Sequence, residues 1–269
     1  MNSNHDIQVP LMADLAANNK SPEYLLWIGC AGAYDERYQK VIHALIRVLN
    51  YTKIDFAVLG PEESCTGDPA RRAGNEMLFQ IQALSNIQIL NNYNVKNIIT
   101  PCPHCYNTFK NEYPALGGSY EVIHHSELLD KIITENPGIL DSRNKYKGKK
   151  VTYHDSCYLG RSNNIYDPPR QIIESLKATL AEMRRNKADG LCCGAGGSQM
   201  FKDAENGNKE INIERTEEVL KSNAEIVATA CPFCLTMLSD GIKSVEKEDK
   251  IQVLDVVELF EKASEKSLS

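Results

Sequence analysis

Residues 97–105 read NIITPCPHC and residues 226–234 read IVATACPFC, and this pair of stretches decides the fold. In each, a short β-branched run ends on a Cys-Pro-x-Cys, so a strand delivers two thiols to a tight turn at its carboxyl end. Pro103 and Pro232 restrain that turn and remove one backbone N–H, leaving the next amides free to face sulfur. Outward from this pair, Cys30, Cys65, Cys102 and Cys105 recur as Cys157, Cys193, Cys231 and Cys234, at separations of 127, 128, 129 and 129 residues. VIHHSELL at 122–129 answers VLDVVELF at 253–260. The chain is therefore a duplicated unit.

Each half alternates short apolar runs with amphipathic segments, the pattern of a mostly parallel sheet flanked by helices. The expected fold class is α/β, with two pseudo-symmetric tandem domains at 21–145 and 146–265. Their division falls in the polar stretch 136–150, which holds Pro137 and Gly138. Strands are predicted at 25–28, 54–59, 97–100, 150–153 and 225–229. Asp35 should cap a helix whose Val41, Ile42, Leu45, Ile46 and Leu49 share one face. A second helix carries Met77, Leu78, Ile81 and Leu84, and another starts near Pro169. The cysteines gather at strand carboxyl ends, where open α/β sheets build ligand sites. The polar ends, 1–20 and 262–269, are expected to fray.

With 30 Lys+Arg against 36 Asp+Glu the net charge is -6, so the basic footprint that nucleic acid or an anionic lipid surface requires is missing. No apolar stretch approaches the roughly 18 residues of a membrane span, and MNSNHDIQVP has neither the basic flank nor the apolar core of a signal peptide. The expectation is a cytoplasmic chain without direct membrane insertion. In that reducing compartment nine cysteines point to metal or redox chemistry rather than disulfides. Walker, GxGxxG, GxSxG and HExxH patterns do not occur, which argues against nucleotide binding and the common hydrolase mechanisms.

In the second half Cys157, Cys192, Cys193, Cys231 and Cys234 form a five-thiol set, with Cys192 and Cys193 on the glycine-rich turn 192–197. Tetrahedral zinc takes four ligands, so the surplus favours an iron–sulfur assembly. The first half has Ser64 where the second has Cys192, leaving Cys30, Cys65, Cys102 and Cys105. Four thiolates serve a [4Fe-4S] cluster or zinc equally well. Burial as small hydrophobes explains single cysteines, but not paired spacing in two copies. His104, between two ligands, is expected to point away, at the surface or behind them. His154 and Asp155 either donate hydrogen bonds that tune a cluster or form a solvated strand end. Arg71, Arg72 and Arg161 either attract an anionic substrate or acidic redox partner, or belong to a solvated face. No residue is singled out as catalytic.

The pattern Cys157, Cys192-Cys193-Gly194, Cys231-Pro232-Phe233-Cys234 resembles the CCG-type cysteine-rich domain. That domain is found twice in one of the subunits of heterodisulfide reductase and in the iron–sulfur subunits of glycerol-3-phosphate- and lactate-oxidising systems. The stretches WIGCAG (27–32), ESCTGDPARR (63–72) and YHDSCYLGR (153–161) look most like the carboxyl-terminal part of larger iron–sulfur oxidoreductases that link electron-transfer flavoprotein to membrane quinone. The likeness covers nearly the whole chain. It implies a non-cubane [4Fe-4S] cluster on the five-cysteine motif and, because Ser64 breaks the first motif, a second [4Fe-4S] cluster or zinc on the other. The implied function is an iron–sulfur subunit relaying electrons within a multi-subunit oxidoreductase. Catalytic disulfide reduction is the alternative, and a structural zinc scaffold the third reading. The CxxCxxCxxxC runs and membrane helices of the larger relatives do not occur here. The resemblance thus implies one part of a split complex, with a ferredoxin-type iron–sulfur or flavin partner, membrane-bound or electron-transfer flavoprotein. Such a chain would sit in the cytoplasm, peripheral at the inner membrane through its partners.

Overall fold

The computed structural model describes residues 8–141, 143–203 and 207–268. Two compact units emerge, one running to His125 and the other covering Ser126–Ser267.

The first unit runs α1 (Met12–Ala17), β1 (Tyr24–Leu26), α2 (Gly29–Tyr34), α3 (Glu36–Tyr51), β2 (Phe56–Ala57), α4 (Asp68–Arg72), α5 (Glu76–Asn92), β3 (Asn97–Thr100), α6 (Pro103–Asn107) and β4 (Glu121–His124). Its strands are parallel in the order β2-β1-β3-β4. A parallel sheet is covered on both faces, and Ile98, Ile99 and Thr100 of β3 are accordingly all buried. Asp35 caps α3 as its position predicts, its carboxylate accepting from Tyr38 N at 2.6 Å. The helix buries Val41, Ile42, Leu45, Ile46 and Leu49 along one face. Trp27, Phe109 and Tyr113 form the aromatic centre, with edge-on contacts of 4.7 and 4.8 Å between centroids.

Three expectations change. The strand at 54–59 shortens to β2, with Val58 bridging Leu11 instead of extending the sheet. Residues 8–20 do not fray, because Met12 is a buried apolar anchor and the chain is tied down twice, by Met12 N to Val58 O and Val58 N to Pro10 O, both 2.9 Å. Residues 1–7 lie outside the described residues, while at the other end a helix continues to Leu268. Finally, α5 is apolar on both sides. It buries Phe79, Ala83, Ile87 and Leu90, and leaves Met77, Ile81 and Leu84 exposed.

The second unit takes all but the first residue of α7 (His125–Glu135), then β5 (Lys150–Tyr153), α8 (Asp167–Ser175), β6 (Thr179–Leu180), α9 (Ile211–Ser222), β7 (Ile226–Thr229), α10 (Pro232–Ser244), β8 (Gln252–Asp255) and all but the last residue of α11 (Val256–Leu268). Its strand order, β6-β5-β7-β8, repeats that of the first unit and is again parallel. The expected architecture of two tandem α/β units with small parallel sheets is thus what the chain adopts. Beyond β5, Arg170 of α8 grips Asp155 through two parallel bonds of 2.8 and 2.9 Å and reaches Glu182 at 2.6 Å. Arg170 and Asp155 are both buried, so this fork fixes the strand end from which Cys157 follows.

Two substitutions test this packing. A methyl group at Gly241 of α10 would stand 2.1 Å from Thr216 Oγ1 and 3.1 Å from Asn212 O of α9. Gly241→Ala gains about 1 kcal/mol of helix propensity but overpacks the contact by about 1–3 kcal/mol. The expected result is a lower urea midpoint, and a raised midpoint would contradict the close approach. Arg170→Leu leaves the Asp155 carboxylate buried without its cation and should lower unfolding stability by about 3–5 kcal/mol in the same titration.

Candidate metal centres

In a sheet ordered 2-1-3-4 the chain changes direction between its first and third strands, so loops leaving those carboxyl ends diverge and open a crevice. Cys30 follows β1 in α2, and Cys102 and Cys105 follow β3 at the start of α6. Cys65 arrives on the loop before α4. Cys30 lies against Cys65 and Cys105 against Cys102, and the charges of Cys30 and Cys65 are both felt at Cys105. The structure therefore brings all four predicted sulfurs of the first half together. The neighbouring Cys30 holds Cys65 down to about 7, while Cys30 itself, beside Cys65 and buried, is pushed far up. Gly67 N donates to Cys65 Sγ at 3.4 Å, and Thr66 Oγ1 reaches Cys105 Sγ at 3.8 Å.

Ser64 does not face this set. Its hydroxyl donates to Asn86 Oδ1 of α5 at 2.8 Å, and Asn86 Nδ2 returns to Cys65 O at 3.0 Å. Glu63 grips the turn before Cys30, accepting from Ile28 N at 3.1 Å and Gly29 N at 2.5 Å. Burial pushes its carboxyl up to about 7. A cleft of about 940 Å³ opens beside Cys30 and Cys65, walled by Ile28, Ile42 and Glu63. His104 points away from the thiols, as expected, but it is buried rather than superficial, 2.8 Å from Asp68 Oδ2. Burial alone would raise the Asp68 carboxyl, yet His104 and Arg72 together hold it below its ordinary range.

The three arginines read either as meeting an anion or acidic partner or as a solvated face are engaged internally. Arg71 pairs with Glu112 at 2.8 Å and lies over the Phe79 ring, Arg72 joins Asp68 and Glu112, and Arg161 donates to Gly190 O at 2.5 Å. They pin the loops that carry the cysteines.

In the second unit Cys157 follows β5 and Cys231 and Cys234 follow β7 at the start of α10, the same crevice in the same topology. The five thiols lie close enough to bear on one another's ionisation in succession: Cys157 on Cys192, Cys192 on Cys193, Cys193 on Cys234 and Cys234 on Cys231. Gly194, at φ +97°, turns its N–H onto Cys192 Sγ at 3.3 Å, a conformation that a side chain would resist. Cys192, beside Cys157 and Cys193, is held far below an ordinary thiol, while Cys157, Cys193 and Cys234 are pushed well above it. Thiols so crowded cannot all ionise unless cationic metal balances them, which is the setting that iron–sulfur and zinc sites supply. All nine cysteines are free of disulfides.

His154 and Asp155 are buried, which removes the solvated strand end. A ring nitrogen of His154 and the sulfurs of Cys193 and Cys234 lie within 4.8 Å of one another. Arg215 of α9, fully buried, donates from Nε to His154 Nδ1 at 3.0 Å and from Nη1 to Glu218 at 2.6 Å and Arg185 O at 2.7 Å. Burial and that guanidinium hold the imidazole down to about 3. Glu63, Asn86, Arg170 and Arg215 escape a reading of the sequence, since none stands at a spacing that marks it.

A family model, the CCG cysteine-rich domain, matches residues 24–110 and again 151–239. Among curated proteins, the EtfAB:quinone oxidoreductase of Syntrophomonas wolfei is 46% identical over 257 residues, covering 93% of this chain and 36% of its own length. The probable iron-sulfur-binding oxidoreductase FadF of Bacillus subtilis is 44% identical over 256 residues, covering 95% and 36%. A component of the dihydromethanophenazine:CoB–CoM heterodisulfide reductase of Methanosarcina barkeri is 31% identical over 258 residues, covering 90% and 59%. The chain thus spans about a third of the first two relatives and somewhat over half of the third. With one thiol constellation at the same crevice of each sheet and the family pattern matched over both, the chain belongs to the CCG cysteine-rich domain family and carries that domain twice.

Proposed function

We propose that this chain is an iron–sulfur redox subunit that relays electrons within a multi-subunit oxidoreductase. The observation that carries the reading is the unbroken chain of thiol contacts among Cys157, Cys192, Cys193, Cys231 and Cys234 at the ends of β5 and β7. In this reading those five hold a [4Fe-4S] cluster of the non-cubane type, and Cys30, Cys65, Cys102 and Cys105 hold a second [4Fe-4S] cluster or zinc, one site in each repeat domain, 21–145 and 146–265. A bound cluster supplies reversible electron uptake, at a potential set by surrounding hydrogen bonds, charge and solvent access. The chain's own residues do the rest. Pro103 and Pro232 stiffen the CxxC turns, Gly67 and Gly194 aim amides at sulfur, and Glu63 and Arg170 brace the segments before Cys30 and Cys157.

The name of the first relative supports a donor of the electron-transfer-flavoprotein class and a quinone acceptor, and we propose a ferredoxin-type iron–sulfur subunit as the other candidate partner. No helix among the described residues is long and apolar enough to cross a membrane. We place the chain in the cytoplasm, peripheral at the inner membrane through such partners. The cleft beside Cys30 and Cys65 favours a second reading, in which a disulfide enters and leaves as two thiols after taking up two electrons and two protons. Absence of turnover with small disulfides and a strong reductant would remove it.

Iron, zinc and acid-labile sulfide, measured on protein prepared without oxygen, test the main reading. About eight iron and eight sulfide per chain indicate two four-iron clusters; about four of each with about one zinc assign the relay to the second half. Zinc without sulfide overturns it. Cys193→Ala interrupts the five-thiol chain and should abolish the second half's iron while the first half keeps its metal. Full iron and undiminished electron transfer in that variant would refute the assignment.

A further inference from the structure

The wall behind the second thiol set carries a histidine whose role the donor geometry decides. His154 is 1% exposed, and Arg215, which has only donor nitrogens, occupies its Nδ1 at 3.0 Å. Nδ1 must therefore offer its lone pair, and in a neutral ring the proton then sits on Nε2. That atom is buried without any hydrogen-bond partner, in a ring that approaches Cys193 and Cys234 within 4.8 Å. A histidine that ligates a metal ordinarily donates its other N–H to a carboxylate or carbonyl, leaving the ligating nitrogen bare. Here the partner is a guanidinium, and the polarity is reversed.

The duplicate supplies an independent observation. Trp27 stands 127 residues before His154, as Cys30 stands before Cys157. Both residues follow the first strand of their sheets and make the same backbone bond to the third-strand segment, Trp27 N to Ile99 O at 2.8 Å and His154 N to Ala228 O at 2.9 Å. Trp27 Nε1 is also buried without a partner, in the same core cluster as Cys102 and Cys105. An indole N–H can only donate. Each half therefore sets a buried N–H at this position.

We propose that His154 is a hydrogen-bond donor to the sulfurs of Cys193 and Cys234 and no ligand, with Arg215 as the positioning residue that fixes its Nε2–H tautomer. Where those sulfurs hold a cluster, as the proposed function has it, the donated bond stabilises the added negative charge and raises the reduction potential. Such a bond to a charged group in a buried site changes the equilibrium by about tenfold.

The test has one arm that needs no iron. Nitrogen-15 spectra of the reduced, metal-free protein, with the His154 signal assigned by its loss in His154→Phe, should show a protonated Nε2 and a bare Nδ1; Arg215→Gln should let the tautomers mix. On iron-loaded protein, His154→Phe should keep full iron and sulfide while its cluster becomes about tenfold harder to reduce, a midpoint lower by about 59 mV for one electron. His154→Gln, which keeps an N–H donor, should recover part of that shift. A protonated Nδ1, loss of iron in His154→Phe, or an unchanged midpoint with full iron each overturns the proposal. Should the wild-type chain take up zinc alone, the electron-relay reading falls, and the tautomer still decides the role of His154.

Discussion

Sulfurs that share protons in a buried crevice cannot all carry charge, and the repulsion among them is the constraint on which the rest of the structure depends. Cys105, Cys193 and Cys234 are buried and each is pushed up by a thiol neighbour, so collecting them is unfavourable until a cation balances their charge. The protein must therefore hold the sulfurs together with interactions that do not involve the metal. It does so by placing them on the ends of two adjacent parallel strands, where the crossover directions diverge and a crevice forms without any special loop.

The loops that complete each set are then pinned by charge pairs and amides instead of apolar packing. Glu63 holds the Ile28 and Gly29 amides, Asn86 holds the Cys65 carbonyl, and Arg170 clamps Asp155 two residues before Cys157. Apolar side chains in these positions would crowd the sulfurs and offer nothing to the polar backbone of tight turns, whose buried N–H and C=O groups need partners. The ion networks under the sites thus answer a backbone requirement as much as an electrostatic one.

How much of this the sequence discloses depends on whether a feature is periodic. The duplicated cysteine spacing, the β-branched runs before each CxxC and the Asp35 cap all leave a regular trace, and the strands at 97–100 and 150–153 and the buried face of α3 follow from them. Two things leave no trace. An apolar helix such as α5 has no polar side to indicate which face is outside, so Met77 and Ile81 cannot be told from Phe79 and Ala83 by composition. A buried arginine is equally silent, because Arg215 reads as part of a charged helix surface and its role depends on His154, which lies 61 positions away. Ser64 shows a half-legible case: its departure from the cysteine pattern is plain, but that it turns onto Asn86 instead of joining the thiols emerges only from the fold.

The two halves share a frame and differ in what fills it. Behind the first thiol set stand Trp27, Phe109 and Tyr113, an aromatic wall in which the Trp27 indole N–H is the counterpart of the His154 ring. Behind the second stand His154, Arg215 and Glu218 in hydrogen-bonded succession. In the arrangement proposed for His154, the succession acts as an oriented dipole backed by the Arg215 guanidinium, with its N–H end toward the sulfurs. An oriented dipole fixed in advance responds to an added electron without rearranging, whereas solvent or a mobile cation would have to reorganise. With a cluster in each half, the divergence between Trp27 and His154 would give the duplicated fold two unequal electron sites from one topology.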